Sequence, residues 1–291
     1  MIKKVIIILV VIVLAVGAGF LFKDNLVKVY DGLIYGIKNF QNTNFGSLIS
    51  KATKEVFTPP PLNFGGSDKR VILTASVIIE ETNSQRQDNG DLPELIKNEL
   101  LTEAALAKAK DMFENQYFEH ESLSGVTPGQ LVQNAGYEFI VAGENLILGN
   151  FSSEKELVQA WMDSPGHRAN ILNNKYTEIG VAIIKGKYEG SSVWIGVQEF
   201  GLPLSTCPNP NEALKMQIEE MQAGLEGMSV QIEQIKDEIK NTDRRAENYN
   251  NLVSLYNQLV VNYNSTAENL KSQISQYNIE VNNFNNCFSA N

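Results

Sequence analysis

Hydrophobic positions fall into four regimes along the chain. After Lys3 and Lys4, an unbroken apolar run extends from Val5 to Phe22. At ~1.5 Å per residue, a helix of that length nearly crosses a ~30 Å hydrocarbon core. Leu26, Val29, Tyr30, Leu33, Ile34, Ile37 and Phe40 then recur at near-helical spacing, which predicts a juxtamembrane helical stalk over 24–57. From Thr58-Pro59-Pro60-Pro61 to Gly65-Gly66-Ser67, stiffening prolines and terminating glycines predict a linker over 58–67.

Residues 68–205 mix two periods. Val71 to Gln85 reads as a helix broken at Asn89-Gly90-Asp91, and Leu100 to Asn115 as a second, with Leu101, Ala104, Ala105, Ala109, Met112 and Phe113 on one side. Pro128 to Ala135 is a short helix closed by Gly136. Ser153 and Glu156 stand in capping-box positions ahead of Leu157, Val158, Trp161 and Met162. Glu178 to Lys185 and Ser192 to Phe200 read as strands joined by Lys187-Tyr188-Glu189-Gly190. Helices interleaved with late strands predict an α/β domain of layered sheet and helices.

Residues 206–291 differ in kind. Apolar or small residues stand at 214, 218, 221, 225, 228, 232, 235 and 239, and the register continues from Ala246 to Phe284, with Tyr249, Tyr256, Tyr263 and Tyr277 on it. Steps of four and three predict an α-helical coiled coil. One straight helix would run roughly 110 Å and require a partner chain. An antiparallel hairpin brings Cys207 and Cys287 together at its base and is the preferred reading, although the unbroken heptad phase favours the straight form. Equal arms put the turn near Asn248-Tyr249-Asn250-Asn251, whereas Asn241-Thr242-Asp243 has the better stop chemistry.

Charge and cysteines narrow the class. The 291 residues carry 24 Lys and Arg against 34 Asp and Glu, for a net charge of −10, and no basic stripe. That excludes duplex nucleic acid as a partner. The two lysines before the apolar run predict a cytoplasmic N-terminus and an extracytoplasmic bulk, with residues 1–23 as a retained transmembrane anchor. Ala15, Gly17 and Ala18 keep a cleaved signal peptide, and hence a secreted protein, as the alternative. Outside the cytoplasm, two cysteines predict one disulfide, Cys207–Cys287.

The chain holds only 2 histidines, and each lies in a distinctive local pattern. His120 ends Tyr117-Phe118-Glu119-His120, and His167 lies in Ser164-Pro165-Gly166-His167-Arg168-Ala169-Asn170. Gly143-Glu144-Asn145 falls between them, and Thr177-Glu178-Ile179-Gly180 just after. Two neutral imidazoles can bind Zn²⁺ with water in the open positions, and a nearby Glu can orient a ring or take a proton. Two protein ligands alone bind weakly. Ser164-Pro165-Gly166 reads as a turn presenting His167, and Asn83 and Arg86 as structural ties between the first helix and a neighbouring loop.

These pieces, with Asn83-Ser84-Gln85-Arg86, the run 161–181 and Val193 to Gly201, stand in the order of the CAP superfamily (cysteine-rich secretory proteins, antigen 5, pathogenesis-related 1), and 161–181 resembles its bacterial branch. The resemblance implies an α–β–α sandwich whose cleft holds two histidines and acids, often around a divalent cation. On this chain these are His120, His167 and Glu144, with Glu178 preferred over Asp163 as the second acid. It leaves the reaction open. The expected function is a membrane-anchored cell-envelope binding module whose coiled coil self-associates or contacts an envelope component or protein. The alternatives are a metal-dependent hydrolase of envelope peptide, glycan or phosphodiester bonds, and a lipid or sterol carrier.

Overall fold

The computed structural model describes residues 54–68 and 70–290. The expected anchor and most of the stalk lie outside these residues. Among the described residues no helix is long and apolar enough to cross a membrane. Two compact units emerge, one built from 51–209 and 284–291, the other containing 210–283.

The first unit is a mixed sheet covered by helices on both faces. In chain order its strands are β1 (Glu55–Phe57), β2 (Leu62–Gly65), β3 (Ile96–Lys97), β4 (Phe139–Gly149), β5 (Glu178–Tyr188) and β6 (Ser191–Pro203). The order across the sheet is β1-β4-β6-β5-β3, with β2 also on β4. β4, β6 and β5 pair antiparallel, β1 and β2 run parallel to β4, and β3 runs parallel to β5. The helices are α1 (Ala75–Gly90), α2 (Glu99–Asn115), α3 (Pro128–Asn134), α4 (Glu154–Asp163) and α5 (Pro165–Ile171).

Side chains alternate between the faces of a strand, and the buried clusters follow that alternation. Leu146 and Leu148 of β4, Ala182 of β5, and Val193, Ile195 and Val197 of β6 pack with Ala105, Ala109 and Met112 of α2. Val141 and Ile147 of β4, Val181 of β5, and Trp194 and Phe200 of β6 face Ile78 of α1 and Leu157, Val158 and Trp161 of α4. α2 lies so close to the sheet that a Cβ at Gly180 would collide with the backbone of Leu101 and Thr102. Arg86 ties α1 down by donating to the carbonyls of Pro93 (3.0 Å), Ile171 (2.8 Å) and Asn173 (2.9 Å).

Several expectations change. β4 was not foreseen as a strand: all 11 of its residues are buried, so no apolar–polar alternation marks it. Residues 55–57 and 62–65, read as the end of a stalk and a linker, are edge strands on β4; prolines lack an N–H and are tolerated at an edge. Pro165 opens a short helix instead of a turn, as proline suits the first helical position. The Ser153 hydroxyl caps Glu156 N, but Glu156 reaches back to the Ser152 N–H and hydroxyl, one residue earlier than a standard box.

The second unit is a helical hairpin. α6 (Glu212–Asn241) and α7 (Tyr249–Ala290) are joined through 242–248. Asn211 caps α6, and its N–H donates to Glu280 (2.9 Å), so the start of α6 meets the late part of α7. Leu214, Ile218, Leu225 and Ile232 are buried with Tyr256, Val260, Tyr263, Leu270, Ile274, Tyr277 and Val281, which are the positions of the predicted seam. At the turn, Thr242 bonds back to the Glu238 carbonyl and Asp243 accepts from Arg245 N. The seam stops short of the helix end: Phe284 and Phe288 belong to the core of the first unit.

Cys207 and Cys287 form the disulfide, with Cα atoms 5.7 Å apart at a sequence separation of 80. Closing a loop of that size stabilises by up to ~4 kcal/mol in the chain-entropy model. The Cys207→Ser/Cys287→Ser variant is therefore expected to unfold at lower denaturant concentration than the oxidised protein, and reductant should shift the wild type alone. Equal midpoints would remove the bridge from the stability account.

Candidate functional site

The site forms where β4 passes the C-terminal end of α2. Gln116, in the left-handed region at φ 53°, ends that helix. The chain then turns through buried Tyr117 to His120. Lys108, one turn from the end of the helical core, holds this turn by donating to the His120 carbonyl (2.6 Å) and to the Tyr117 hydroxyl (3.2 Å). The Tyr117 hydroxyl donates in turn to Asp111. Beside these groups a cavity of about 240 Å³ is lined by Lys108, Asp111, Ser122 and Asn134, among others.

His120 Nδ1 lies 2.5 Å from Glu144 Oε1. Its Nε2 bonds the carbonyl of Pro59, in the segment between β1 and β2. A carbonyl has no hydrogen to give, so Nε2 is the donor. His167, on the first turn of α5, bonds Ser164 Oγ through Nδ1 (2.8 Å), while Nε2 is buried without a well-aligned partner. Burial, followed by the nearby His120 charge, depresses the His167 pKa to about 4, against a weaker opposing effect of the Leu146 backbone. The ring is neutral at physiological pH.

The acid facing Glu144 is Glu199. The two are cross-strand partners in the β4–β6 register and project on the α2 face. Both are fully or almost fully buried. Burial, then the Glu144 charge and a hydrogen bond with Glu144, push the Glu199 pKa well above the usual carboxylate range. The pair therefore shares a proton, because two adjacent carboxylates cannot both ionise in a dry site. Lys108 is the nearby counter-charge: burial lowers its pKa, while Glu144, Asp111 and Glu199 oppose that shift.

The structure thus brings His120, Glu144 and His167 together and sets the other two candidates apart. Glu178 accepts from the Tyr137 hydroxyl (2.6 Å) and Asn98 Nδ2 (3.2 Å), tying α2 and the 137 turn to β5. Asp163 is bonded by Gln159 on its own helix. Neither carboxylate hydrogen-bonds a histidine. Glu199 was missed although a signal existed: Gln198-Glu199 interrupts the apolar stretch Val193–Val197, and an acid inside a buried strand requires a partner. On the opposite face Asn145, Gln198, Asn170 and Thr82 form a buried amide–hydroxyl network. Asn145 donates as well to the His167 carbonyl (3.2 Å).

As arranged, these donors do not fit a resident divalent ion. Both His120 nitrogens are engaged, and no group of three His, Cys, Asp or Glu among the described residues is placed to hold a cation.

A model of the cysteine-rich secretory protein family, CAP, matches residues 79–200. The chain is 36% identical over 160 residues to YkwD of Bacillus subtilis, covering 55% of this chain and 56% of YkwD. It is 32% identical over 111 residues to the membrane protein YlbC of the same organism, covering 38% of this chain and 32% of YlbC. The match therefore spans about half of one relative and a third of the other. Among solved structures it is similar to an extracellular protein containing an SCP domain from Bacillus anthracis, at 31% identity and a TM-score of 0.37, over 44% of this chain and 39% of that one.

The buried groups set the pH response of the fold. Unfolded His167 titrates near 6.5 and folded His167 at about 4. The unfolded state therefore takes up the proton first, and stability falls as pH drops from 6.5 towards 4. The loss attributable to this ring reaches up to about 3 kcal/mol at the acid end. Glu199 acts in the opposite sense: its raised folded pKa gives stability that is present below the ordinary Glu range and lost as pH rises through the folded value. His167→Gln should flatten the acid limb of a Tm–pH profile between 6.5 and 4. Glu199→Gln should gain on the wild type as pH rises from 5 to 8. Parallel profiles for all three proteins would contradict both assignments.

Proposed function

We propose that this chain, whose residues 79–200 are a CAP domain of the bacterial branch, is an extracytoplasmic binding module of the cell envelope rather than a hydrolase. The N-terminal apolar segment tethers it or exports it. The helical hairpin acts as a two-stranded coiled-coil arm for contact with a protein, a wall component or a second copy. The relatives lend support in name: one is called a membrane protein and another an extracellular protein.

One observation carries the preference. His120, one of the groups that could do acid–base work, has both ring nitrogens engaged, between Glu144 and the Pro59 carbonyl, and burial beside Glu144 holds Glu199 towards its protonated form. A general base needs a free lone pair within reach of the proton it takes. A recognition site needs fixed donors, and a locked imidazole supplies one. Zinc or another divalent ion enters this reading only as a weak guest of His120 and His167, competing with the Pro59 carbonyl. The hydrolase alternative draws on buried Glu199, whose raised pKa beside Glu144 is the kind of perturbation catalytic sites show.

The full chain should be retained on isolated bacterial envelope material, with His120→Ala retained at least fivefold less. Calorimetry with zinc should give at most weak binding, lost in the His120→Ala/His167→Ala double variant. Turnover of envelope peptide, glycan or phosphodiester substrates above background, abolished by His120→Ala, would replace this reading with the hydrolase.

A further inference from the structure

Residues 55–65 occupy the site in a way that describes its ligand. β1 pairs with Val141–Gly143 and β2 with Ile147–Gly149, both parallel to β4. Between them Thr58-Pro59-Pro60-Pro61 passes Glu144, Asn145 and Leu146 without ladder bonds, and prolines have no N–H to offer there. What the site reads in this stretch is carbonyls. His120 Nε2 donates to Pro59 O, and Asn170 Nδ2 donates to Phe57 O (3.2 Å). A bare Gly166 forms the seat of the Pro59 ring: a Cβ there would stand 2.6 Å from Pro59 Cβ.

The segment lies on the surface of the sandwich rather than in it. All three residues of β1 and three of four in β2 are exposed, and Val56, Phe57 and Phe64 keep 38%, 41% and 41% of their surface accessible. Leu62 packs at the edge of the core and Phe64 stacks on buried Phe151, and the remaining side-chain anchors are surface ion pairs, Lys54 with Glu138 and Glu55 with Lys175. Exposed ion pairs of this kind contribute little. An edge strand held by backbone pairing and a few exposed contacts is the arrangement that peptide recognition by strand addition exploits.

We propose that the groove along the outer edge of β4 beside His120 binds an extended peptide carrying an aromatic-X-proline sequence, parallel to β4, and that residues 55–65 are its built-in competitor. Carbonyl-reading side chains, a glycine seat for a pyrrolidine ring and a strand edge that pairs in parallel with an extended segment together select such a ligand over a compact small molecule. This rests on the binding-module reading and names what the module binds.

The test uses a labelled peptide with the sequence of residues 54–66, followed by fluorescence anisotropy on the full chain. The Phe57→Asp/Phe64→Asp variant, whose competitor is weakened, should bind it at least tenfold tighter than the wild type. Adding Gly166→Val to that variant should abolish binding, and alanine at the peptide's first proline should weaken it at least fivefold. Saturable binding of a scrambled peptide with equal affinity, or no binding to the double variant, overturns the proposal. If the double variant does not fold, hydrogen exchange on the wild type decides: excess peptide should speed exchange at 55–57 and 62–65, and unchanged rates refute the proposal. Peptide binding without envelope retention would defeat only the envelope reading, and retention without peptide binding only this one.

Discussion

Two carboxyl groups face each other in the middle of a sheet covered on both sides. Glu144 and Glu199 are forced together by the β4–β6 register, and neither can reach water. Burying one unpaired carboxylate costs several kcal/mol, and two adjacent ones more. The surrounding residues follow from that constraint. One proton stays on the pair, through Glu199. Lys108 is drawn into the core, where it donates to the His120 carbonyl and the Tyr117 hydroxyl. His120 is held at 2.5 Å by Glu144, and its other nitrogen points out to the strand edge. A one-residue slip of either strand would turn its acid to the opposite face and separate the pair, so the site and the sheet are specified together.

What sequence reasoning could recover depended on how local the signal was. His120 and His167 sit in short motifs at a turn and a helix start, and Glu144 in a short motif within β4, and these motifs were legible in the sequence. The placement of Cys207 and Cys287 pointed to the hairpin, and its helices were legible because the seam repeats over many turns, where a repeated weak signal accumulates. Its end was not: Phe284 keeps the heptad phase yet packs into the sandwich, a choice made by tertiary contact. β4 carried no alternation because it is buried on both faces. Glu178 attracted attention through its motif, but its carboxylate is used in bracing, with Tyr137 and Asn98. The second acid lay instead across the sheet, 55 positions after Glu144, where only strand register could find it.

The proline segment shows a different limit. Three consecutive prolines and a following pair of glycines describe a linker by composition, and they also describe an edge strand that must not propagate pairing to another chain. The deciding fact is the partner: a backbone carbonyl at Pro59 facing a donor on His120, which no local property of residues 58–61 encodes. The same contact engages a ring nitrogen that the local motif alone would offer to a metal.

The disulfide bears on how these parts coexist. Cys207 is 1% exposed, and its bridge to Cys287 fixes the last turn of α7 against the sandwich core beside Phe284 and Phe288. The outermost pieces of the first unit, the strap at 55–65 and the helix end at 284–290, are thus held by opposite means. One is covalent and buried, the other non-covalent and exposed. If the cleft works by exchanging its own strap for a peptide, the exchange need not loosen the anchor of the hairpin, because the two are secured through different bonds on different residues. A recognition site can open at one edge of this sheet while the covalent attachment of the arm stays intact.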